Sequence, residues 1–239
     1  MKDLRANDLV IVTGASKGIG RATVKALVGQ HGAHVLAISR DAASLRSLKE
    51  ECSSAPGAVE IADIDLSTPT YVEEVIGAVS GRVVRALVHN AGHLLSRPVG
   101  AHTAKDLDHV FHVNVVAPLL LSQALADALA GDPPGHIVHI GSMGGFQDSA
   151  KFPGLVGYSA SKAALACVAQ CLAEEFKGRG IRSNCLALGA VDTAMLRVAF
   201  PGFQAPTTAE EMGTFIAEFS LNGHKLFNGK VLPVASTTP

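Results

Sequence analysis

Residues 10–21 read VIVTGASKGIGR, an apolar strand-like run followed by a glycine-rich turn and the start of a helical segment. Gly14 permits a sharp turn, Gly18 lets the backbone approach a bound anion, and Gly20 permits tight packing of the helix on the strand. Because the N–H groups of a helix N-terminus face such a turn, the stretch predicts a site for a pyrophosphate. The glycine spacing differs from the commoner dinucleotide fingerprint, so an ordinary tight turn between strand and helix is the alternative interpretation.

Apolar strand-like segments alternate with helical segments along the rest of the chain. The predicted strands cover residues 9–13, 34–39, 59–63, 86–89, 136–140, 182–188 and 230–233. The predicted helices cover residues 19–31, 42–52, 69–80, 104–129, 158–177 and 208–221. This order predicts an α/β fold, a Rossmann-type doubly wound seven-stranded parallel sheet with helices on both faces, in one dinucleotide-binding domain over residues 1–239. Two long non-periodic stretches, 144–157 and 194–207, are predicted to carry a binding pocket.

The composition excludes several classes of protein. Hydrophobic residues make up 48% of the chain and charged residues 17%, which fits a sheet covered on both faces and argues against disorder. The 20 basic residues nearly balance the 21 acidic ones and form no stripe, so nucleic acid is a poor partner. No apolar run approaches the roughly 20 residues that span a membrane, and residues 1–5 carry no secretory signal pattern, so we expect a cytoplasmic protein.

The four cysteines are few and irregularly spaced, which predicts neither a disulfide framework nor a zinc site. Cys167 and Cys171 lie one helical turn apart and are predicted to be small buried core residues on one helix face.

A cationic residue follows the second predicted strand, where the chain reads Ser39-Arg40 about 20 residues beyond the last glycine of the turn. An acidic residue there would bind the ribose of NAD, whereas Arg40, helped by Lys17, can form charge-assisted bonds to a 2′-phosphate. The sequence therefore predicts NADP(H) as the preferred cofactor, with NAD(H) possible. The alternative is a solvated loop charge that Asp41 partly neutralises.

Tyr158 and Lys162 are four residues apart at the start of a predicted helix, so both project from one face. A neighbouring ammonium should favour the phenolate and lower the pKa of Tyr158 from about 10 towards neutrality. Tyr158 would then donate a proton to a carbonyl, or accept one from an alcohol. Ser142 follows a predicted strand at its carboxyl end, where its hydroxyl can hold the substrate oxygen. The alternatives are a surface tyrosine and a plain turn serine.

The chain resembles the short-chain dehydrogenase/reductase family over nearly its whole length and in the expected order. The matching pieces are TGASKGIG at 13–20, Asp65-Leu66, Asn90-Ala91-Gly92, Asn114, Ser142, YSASK at 158–162 and the segment 189–193. The resemblance implies an NAD(P)-dependent enzyme acting on CH–OH donors, such as a carbonyl reductase. It also implies subunit contacts through the helices predicted at 104–129 and 158–177, hence a homodimer or homotetramer.

The resemblance assigns roles to individual residues. The implied catalytic residues are Asn114, Ser142, Tyr158 and Lys162. The implied cofactor-binding residues are Gly14, Ser16, Lys17, Gly18, Ile19, Gly20, Ser39, Arg40, Asp65, Leu66, Asn90, Ala91, Gly92, Tyr158, Lys162, Gly189, Val191 and Thr193. In the family, the lysine also bonds the nicotinamide ribose, the asparagine holds a water in a proton relay, and the aspartate approaches the adenine. The alternative for Asn114 is a buried amide satisfied by helix backbone.

The chain departs from the family pattern at several places. Leu188 stands where the family usually has proline, and His89 where it usually has a second asparagine. The stretch between Ser142 and Tyr158 is a few residues longer than usual. The two long stretches are rich in apolar side chains predicted to line a pocket, namely Phe146, Phe152, Leu155, Met195, Leu196, Phe200 and Phe203. Six histidines, at positions 93, 102, 109, 112, 136 and 139, do not converge in the predicted fold, so we expect solvated or satisfied side chains and no metal.

Taken together, the sequence predicts an NADP(H)-dependent oxidoreductase that interconverts a carbonyl and an alcohol on a small, largely apolar substrate by hydride transfer. Two other classes stay open. One is a cofactor-binding sensor or scaffold whose catalysis is lost, and the other is an epimerase or dehydratase on the same fold. Net consumption of NADPH separates a reductase from the latter, because such enzymes return the hydride.

Overall fold

The predicted strands pair into one parallel sheet in the computed structural model, which describes residues 8–236. The strands of these residues are β1 (Leu9–Thr13), β2 (His34–Ser39), β3 (Ala58–Asp63), β4 (Val84–His89), β5 (Gly135–Ser142), β6 (Ile181–Leu188), β7 (Val191–Asp192), β8 (Thr207–Thr208) and β9 (Val231–Val234). Seven of them form the sheet in the order β3-β2-β1-β4-β5-β6-β9. The predicted seven-stranded doubly wound sheet is therefore confirmed. The strand order reverses between β1 and β4, which opens a crevice at their carboxyl ends.

The helices cover both faces of this sheet. They are α1 (Gly18–His31), α2 (Ala42–Glu51), α3 (Tyr71–Val79), α4 (Ala104–Phe111), α5 (Ala117–Ala124), α6 (Ala126–Leu129), α7 (Val156–Glu175), α8 (Ala194–Ala199) and α9 (Ala209–Asn222). Val10 and Val12 of β1 pack into a core with α1, α2 and α9, whereas Leu9 and Ile11 pack into a core with α3, α5 and α6. Because both faces of β1 are buried, its sequence is an unbroken apolar run.

The prediction of one continuous helix over residues 104–129 is wrong, because the segment is divided into several shorter helices. A capping box between Thr103 and Asp106 begins α4, a π-helical turn at His112–Val116 follows, and α5 and α6 complete the segment. Pro118 lies in the first turn of α5, where it can donate no backbone hydrogen bond to the preceding turn. Apolar periodicity does not reveal such a widened turn, which here holds Asn114.

The predicted loop over residues 194–207 also contains unpredicted structure. Thr193 caps α8 by accepting a hydrogen bond from the backbone N–H of Leu196, at 3.2 Å. The two-residue strands β7 and β8 then pair with each other and close the loop against the body of the fold. Six helical residues between two caps are too few for a periodic pattern to show in the sequence.

Within residues 8–236, no helix combines the length and the apolar character that crossing a bilayer requires. Residues 1–5, on which the expectation about a signal segment rests, lie outside the described residues, so cytoplasmic localisation stays a prediction.

No group of three or more His, Cys, Asp or Glu side chains in the described part of the chain is arranged to hold a metal ion. Cys167 and Cys171 are exposed on α7, so the prediction that they are buried core residues is wrong.

Three histidines are buried within the sheet. His136 donates from Nδ1 to the carbonyl oxygen of Ser220 at 3.0 Å, and its Nε2 accepts from Asn184. His89 and His139 are paired across β4 and β5, and their rings stack with centroids 5.0 Å apart. Burial lowers the pKa of His89 and of His136 to about 3, and that of His139 well below its usual value. All three are therefore neutral at pH 7.

These neutral histidines predict a loss of stability in mild acid. An unfolded histidine has a pKa near 6.5. Below that pH the unfolded chain therefore binds protons that the folded chain excludes, and the free energy of unfolding decreases as the pH is lowered. Each such histidine contributes up to about 1.4 kcal/mol per pH unit to that slope. Urea unfolding between pH 7.5 and 5.5 should show a smaller slope for His89→Asn than for the unaltered protein. The exposed His34, changed to Asn, is the matched control, and an unchanged slope in His89→Asn would contradict the account.

Candidate active site

A cleft of about 690 Å³ opens at the carboxyl edge of the sheet. The ends of β1 to β6 form its floor, the first turn of α7 forms one wall, and residues 188–200 form the opposite side. Because parallel strands end at the same edge, the motifs that lie far apart in the sequence meet here.

The glycine-rich turn fits a bound phosphate group. Gly14 and Gly18 have φ values of +66° and +55°, in the left-handed region that favours glycine. Lys17 is in the N-cap position of α1 with an extended backbone, and its side chain does not cap the helix. The first N–H groups of α1 therefore point into the cleft and are available to an anion.

Asn90 joins the turn to the neighbouring strand. Its Nδ2 donates to the carbonyl oxygens of Thr13 and Gly14, at 2.9 and 3.0 Å, while its backbone N–H donates to Thr13 Oγ1. A Cβ on Gly20 would lie 2.3 Å from Asn90 Nδ2 and 2.4 Å from the Gly14 oxygen. The helix can approach the strand this closely only because residue 20 is glycine.

The predicted adenosine end of the cleft, beside β2 and β3, carries the cation. Arg40 is mostly exposed and pairs with Asp65, with 3.7 Å between Nη1 and Oδ2. Burial alone would raise the pKa of Asp65, but hydrogen bonds from Ser67 and the charge of Arg40 outweigh burial and lower it. Asp41, considered above as a neutralising neighbour, instead caps α2 by accepting hydrogen bonds from Ser44. No ion pair joins Asp41 to Arg40 among the described residues, and both residues line the cleft.

Tyr158 and Lys162 meet at the other end of the cleft, as their spacing predicts. Lys162 is only 4% exposed, its Nζ donates to the carbonyl oxygen of Ile140 at 2.8 Å, and it lies 5.9 Å from the centre of the Tyr158 ring. Burial lowers the pKa of Lys162 to about 8. Burial also raises the pKa of Tyr158, and a hydrogen bond with Ser142 only partly opposes this. The predicted lowering of the Tyr158 pKa is therefore wrong, because desolvation of the phenolate dominates.

Asn114 lies behind the cleft wall and is fully buried. Its Oδ1 accepts from the backbone N–H of His93 at 2.7 Å, and its Nδ2 donates to the His93 carbonyl and to Ser161 Oγ. Its partners thus belong to other segments, so the alternative of a side chain satisfied by its own helix is wrong. An added Cβ on Gly92 would lie 3.4 Å from Lys162 Nζ and 3.5 Å from Asn114 Oδ1. The amide and the ammonium therefore flank the same glycine.

The chain after β6 keeps its place without the family proline. The backbone N–H of Gly189 donates to the carbonyl oxygen of Val234 in β9, at 3.0 Å. Val191 pairs with Thr207 in the small β7–β8 ribbon. These backbone bonds hold the segment at the edge of the cleft, so Leu188 replaces proline without releasing the loop.

The substrate end is apolar. Leu155, Met195, Leu196 and the aromatic pair Phe152 and Phe200 line it, and the two phenyl rings meet edge to face at 5.0 Å. Phe146 and Phe203, predicted to line this pocket, lie outside its lining. The two cations of these loops are engaged elsewhere. Lys151 donates to the carbonyl oxygens of Phe146 and Ser149, and Arg197 pairs with Asp192.

The predicted cofactor-binding residues all lie along this one cleft. They are Gly14, Ser16, Lys17, Gly18, Ile19, Gly20, Ser39, Arg40, Asp65, Leu66, Asn90, Ala91, Gly92, Tyr158, Lys162, Gly189, Val191 and Thr193. Sequence reasoning missed His93, Leu94, His109 and Val113, which line it as well. The spacing of His109 and Val113, one helical turn apart and just before Asn114, could have placed them on one face.

The chain matches the short chain dehydrogenase family over residues 8–202. It is 37% identical to carbonyl reductase (NADPH) 2 of Sus scrofa, over 78% of this chain and 73% of that protein. It is 30% identical to an NADPH-dependent aldehyde reductase-like protein of Arabidopsis thaliana, over 96% of this chain and 93% of that protein. Among solved structures, a short chain dehydrogenase of Burkholderia cenocepacia in complex with NADP is 28% identical, with a TM-score of 0.84 over 94% of this chain and 95% of that one.

The close contact at Gly20 gives a test within a single helix. Gly20→Ala should destabilise the protein by about 1–3 kcal/mol and weaken NADPH binding, because the methyl group displaces Asn90 and the turn. Gly29→Ala is the matched control in α1, since a Cβ there meets nothing within 4 Å. It should leave stability unchanged or raise it by up to about 1 kcal/mol. Urea unfolding and NADPH fluorescence titration measure both effects. Equal behaviour of the two variants would contradict the packing argument.

Proposed function

The chain belongs to the short-chain dehydrogenase/reductase family, and we propose that it interconverts a carbonyl and an alcohol on a small, largely apolar substrate by hydride transfer. It is an NAD(P)-dependent oxidoreductase, and its cofactor is NADP(H). The observation that carries the proposal is the meeting of Ser142, Tyr158 and Lys162 beneath the apolar end of the cleft.

The glycine turn and the adenosine end fit this cofactor. The glycines of the turn line the cleft, and the first N–H groups of α1, which have no side-chain cap, offer a site for the pyrophosphate. Arg40 and Lys17 offer the charges for a 2′-phosphate. When bound, NADP(H) supplies or accepts the hydride.

Tyr158 is the proposed acid–base group. Burial favours its neutral phenol form, which is the form that donates a proton to a carbonyl oxygen. Lys162 contributes a buried positive charge held by Ile140, and that charge stabilises the phenolate left after donation. Ser142, which lines the cleft together with Tyr158, would hold the substrate oxygen in line with the phenol.

The engaged loop cations support a neutral substrate. Neither Lys151 nor Arg197 lines the cleft, and Arg197 pairs with Asp192. A charged substrate would enter an apolar pocket without a partner, which is costly. We therefore propose neutral ketones and aldehydes as the substrate class.

Replacing Tyr158 by Phe tests the mechanism. With NADPH and a panel of neutral ketones, aldehydes and diketones, Tyr158→Phe should lower turnover by about 100-fold or more while NADPH still binds. Tyr71→Phe is the matched control, since Tyr71 is the only other tyrosine in the chain, is buried and lies outside the cleft. Net NADPH consumption also separates a reductase from an epimerase or dehydratase. Near-normal turnover in Tyr158→Phe would overturn the proposed role.

We also propose a homo-oligomer that buries one side of α5 and α7. Val116, Leu119 and Leu120 are exposed at 36–38%, and Cys167 lies on the exposed side of α7. Exposed apolar residues grouped on two helices are typical of subunit interfaces.

Light scattering should give a mass of about two or four times the chain's 24.6 kDa. Leu119→Glu should shift that mass towards the monomer, because it buries a charge in the interface. Leu226→Glu, at an exposed position away from both helices, should leave the mass unchanged. A monomer in the unaltered protein would refute the proposal.

A further inference from the structure

Two histidines that are distant in the sequence, His93 and His109, meet in the cleft. The rings of His93 and His109 lie edge to face, with centroids 4.6 Å apart and planes at 73°. Both side chains line the cleft that Lys17 and Arg40 also line. His93 comes directly after the Asn90-Ala91-Gly92 segment at the end of β4, and His109 lies in the last turn of α4.

The backbone at His93 is fixed independently of its side chain. Asn114 binds both the N–H and the carbonyl of residue 93, at 2.7 and 3.0 Å. The imidazole takes no part in these bonds; it lines the cleft and packs against His109. A substitution at this position retains both hydrogen bonds.

The charges around His93 come from both sides of the cleft. Burial is the main reason why the pKa of His93 is lowered, and His109 and Arg40 lower it further, whereas Asp106 of α4 acts in the opposite direction. Asp106 is itself engaged by Arg97 and Thr103. Arg40 also acts on His93, and among the described residues its one ion pair is the 3.7 Å contact with Asp65.

We propose that His93, with His109 beside it, is a proton-dependent contact for the phosphorylated adenosine half of NADP(H), so that cofactor binding draws a proton onto this pair. The inference rests on the proposed position of NADP(H) in the cleft. The histidine pair would be a binding group whose charge depends on pH, beside Arg40 and Lys17, whose charges are permanent.

The direction of the effect follows from linkage. A 2′-phosphate bound to Arg40 neutralises the charge that repels a proton from His93, and the phosphate itself attracts that proton. Binding of NADP(H) must then raise the pKa of His93, and protonation must strengthen binding by the same factor. NAD(H) lacks the 2′-phosphate and leaves Arg40 facing Asp65, so it should draw little or no proton.

The test is calorimetric titration with NADPH at pH 6.5 in buffers of different ionisation enthalpy, which counts the protons taken up on binding. The 2′-phosphate has its own second pKa near 6 and releases protons when it binds as a dianion, equally in every variant. The comparison with His93→Gln removes that contribution. The unaltered protein should take up more protons than His93→Gln, by a fraction of one proton up to one. His109→Gln should give an intermediate value, and His34→Gln, which changes an exposed histidine outside the cleft, should match the unaltered protein.

The affinities supply a second readout. When the pH is lowered from 7.5 to 6.0, the ratio of the NADPH Kd of His93→Gln to that of the unaltered protein should increase about 3-fold or more. The same ratio for NADH should not change. Equal proton counts for NADPH in the unaltered protein and His93→Gln would overturn the histidine contact and leave the proposed function standing. An equal difference with NADH would also overturn it. Failure of the unaltered protein to bind NADPH would overturn the cofactor position and the inference together.

Discussion

The contact between Asn90 and the glycine turn is the constraint on which the site depends. The Asn90 amide donates to the carbonyl oxygens of Thr13 and Gly14. The Thr13 hydroxyl oxygen in turn accepts hydrogen bonds from the backbone N–H groups of residues 90 and 91. These bonds join β1 to β4 where the strand order reverses. They also leave no space for a Cβ on Gly20, so α1 begins against the strand and its N-terminus faces the cleft. The hydrogen bonds of Asn90 with Thr13 and Gly14, which join β4 to β1, thus fix the position of the proposed anion site.

The cleft is divided electrostatically into two ends. Arg40 and Lys17 make the adenosine end cationic, which suits a cofactor with several phosphate charges. The other end holds the buried cation Lys162 beside an apolar wall that includes Phe152 and Phe200. Such a division lets one end bind by charge while the other accepts a neutral substrate beside a phenol. Specificity for the reacting partner then depends on shape and on the hydroxyls of Ser142 and Tyr158.

The sequence predicted the sheet and the meeting of Tyr158 with Lys162, because both follow from local periodicity and from the shared edge of parallel strands. It could not predict the π-helical turn around Asn114, since apolar spacing continues across it. The pairing of His93 with His109 depends on how β4 and α4 approach each other, a tertiary distance that no local pattern contains. The predicted lowering of the Tyr158 pKa was wrong for a related reason. Spacing reveals the neighbouring charge, but the desolvation that outweighs it depends on how the finished cleft closes around the ring.

Isotopic labelling of the cofactor can follow the proposed hydride transfer between NADP(H) and a carbonyl carbon in this cleft. NADPH carrying deuterium at C4 of the nicotinamide, on the transferred face, would be turned over with a neutral ketone that the protein reduces. The product would then be analysed by mass spectrometry and NMR. The account predicts one deuterium on the carbinol carbon of the alcohol for each NADPH consumed. Deuterium that stayed on the cofactor, or an alcohol without label on that carbon, would contradict it.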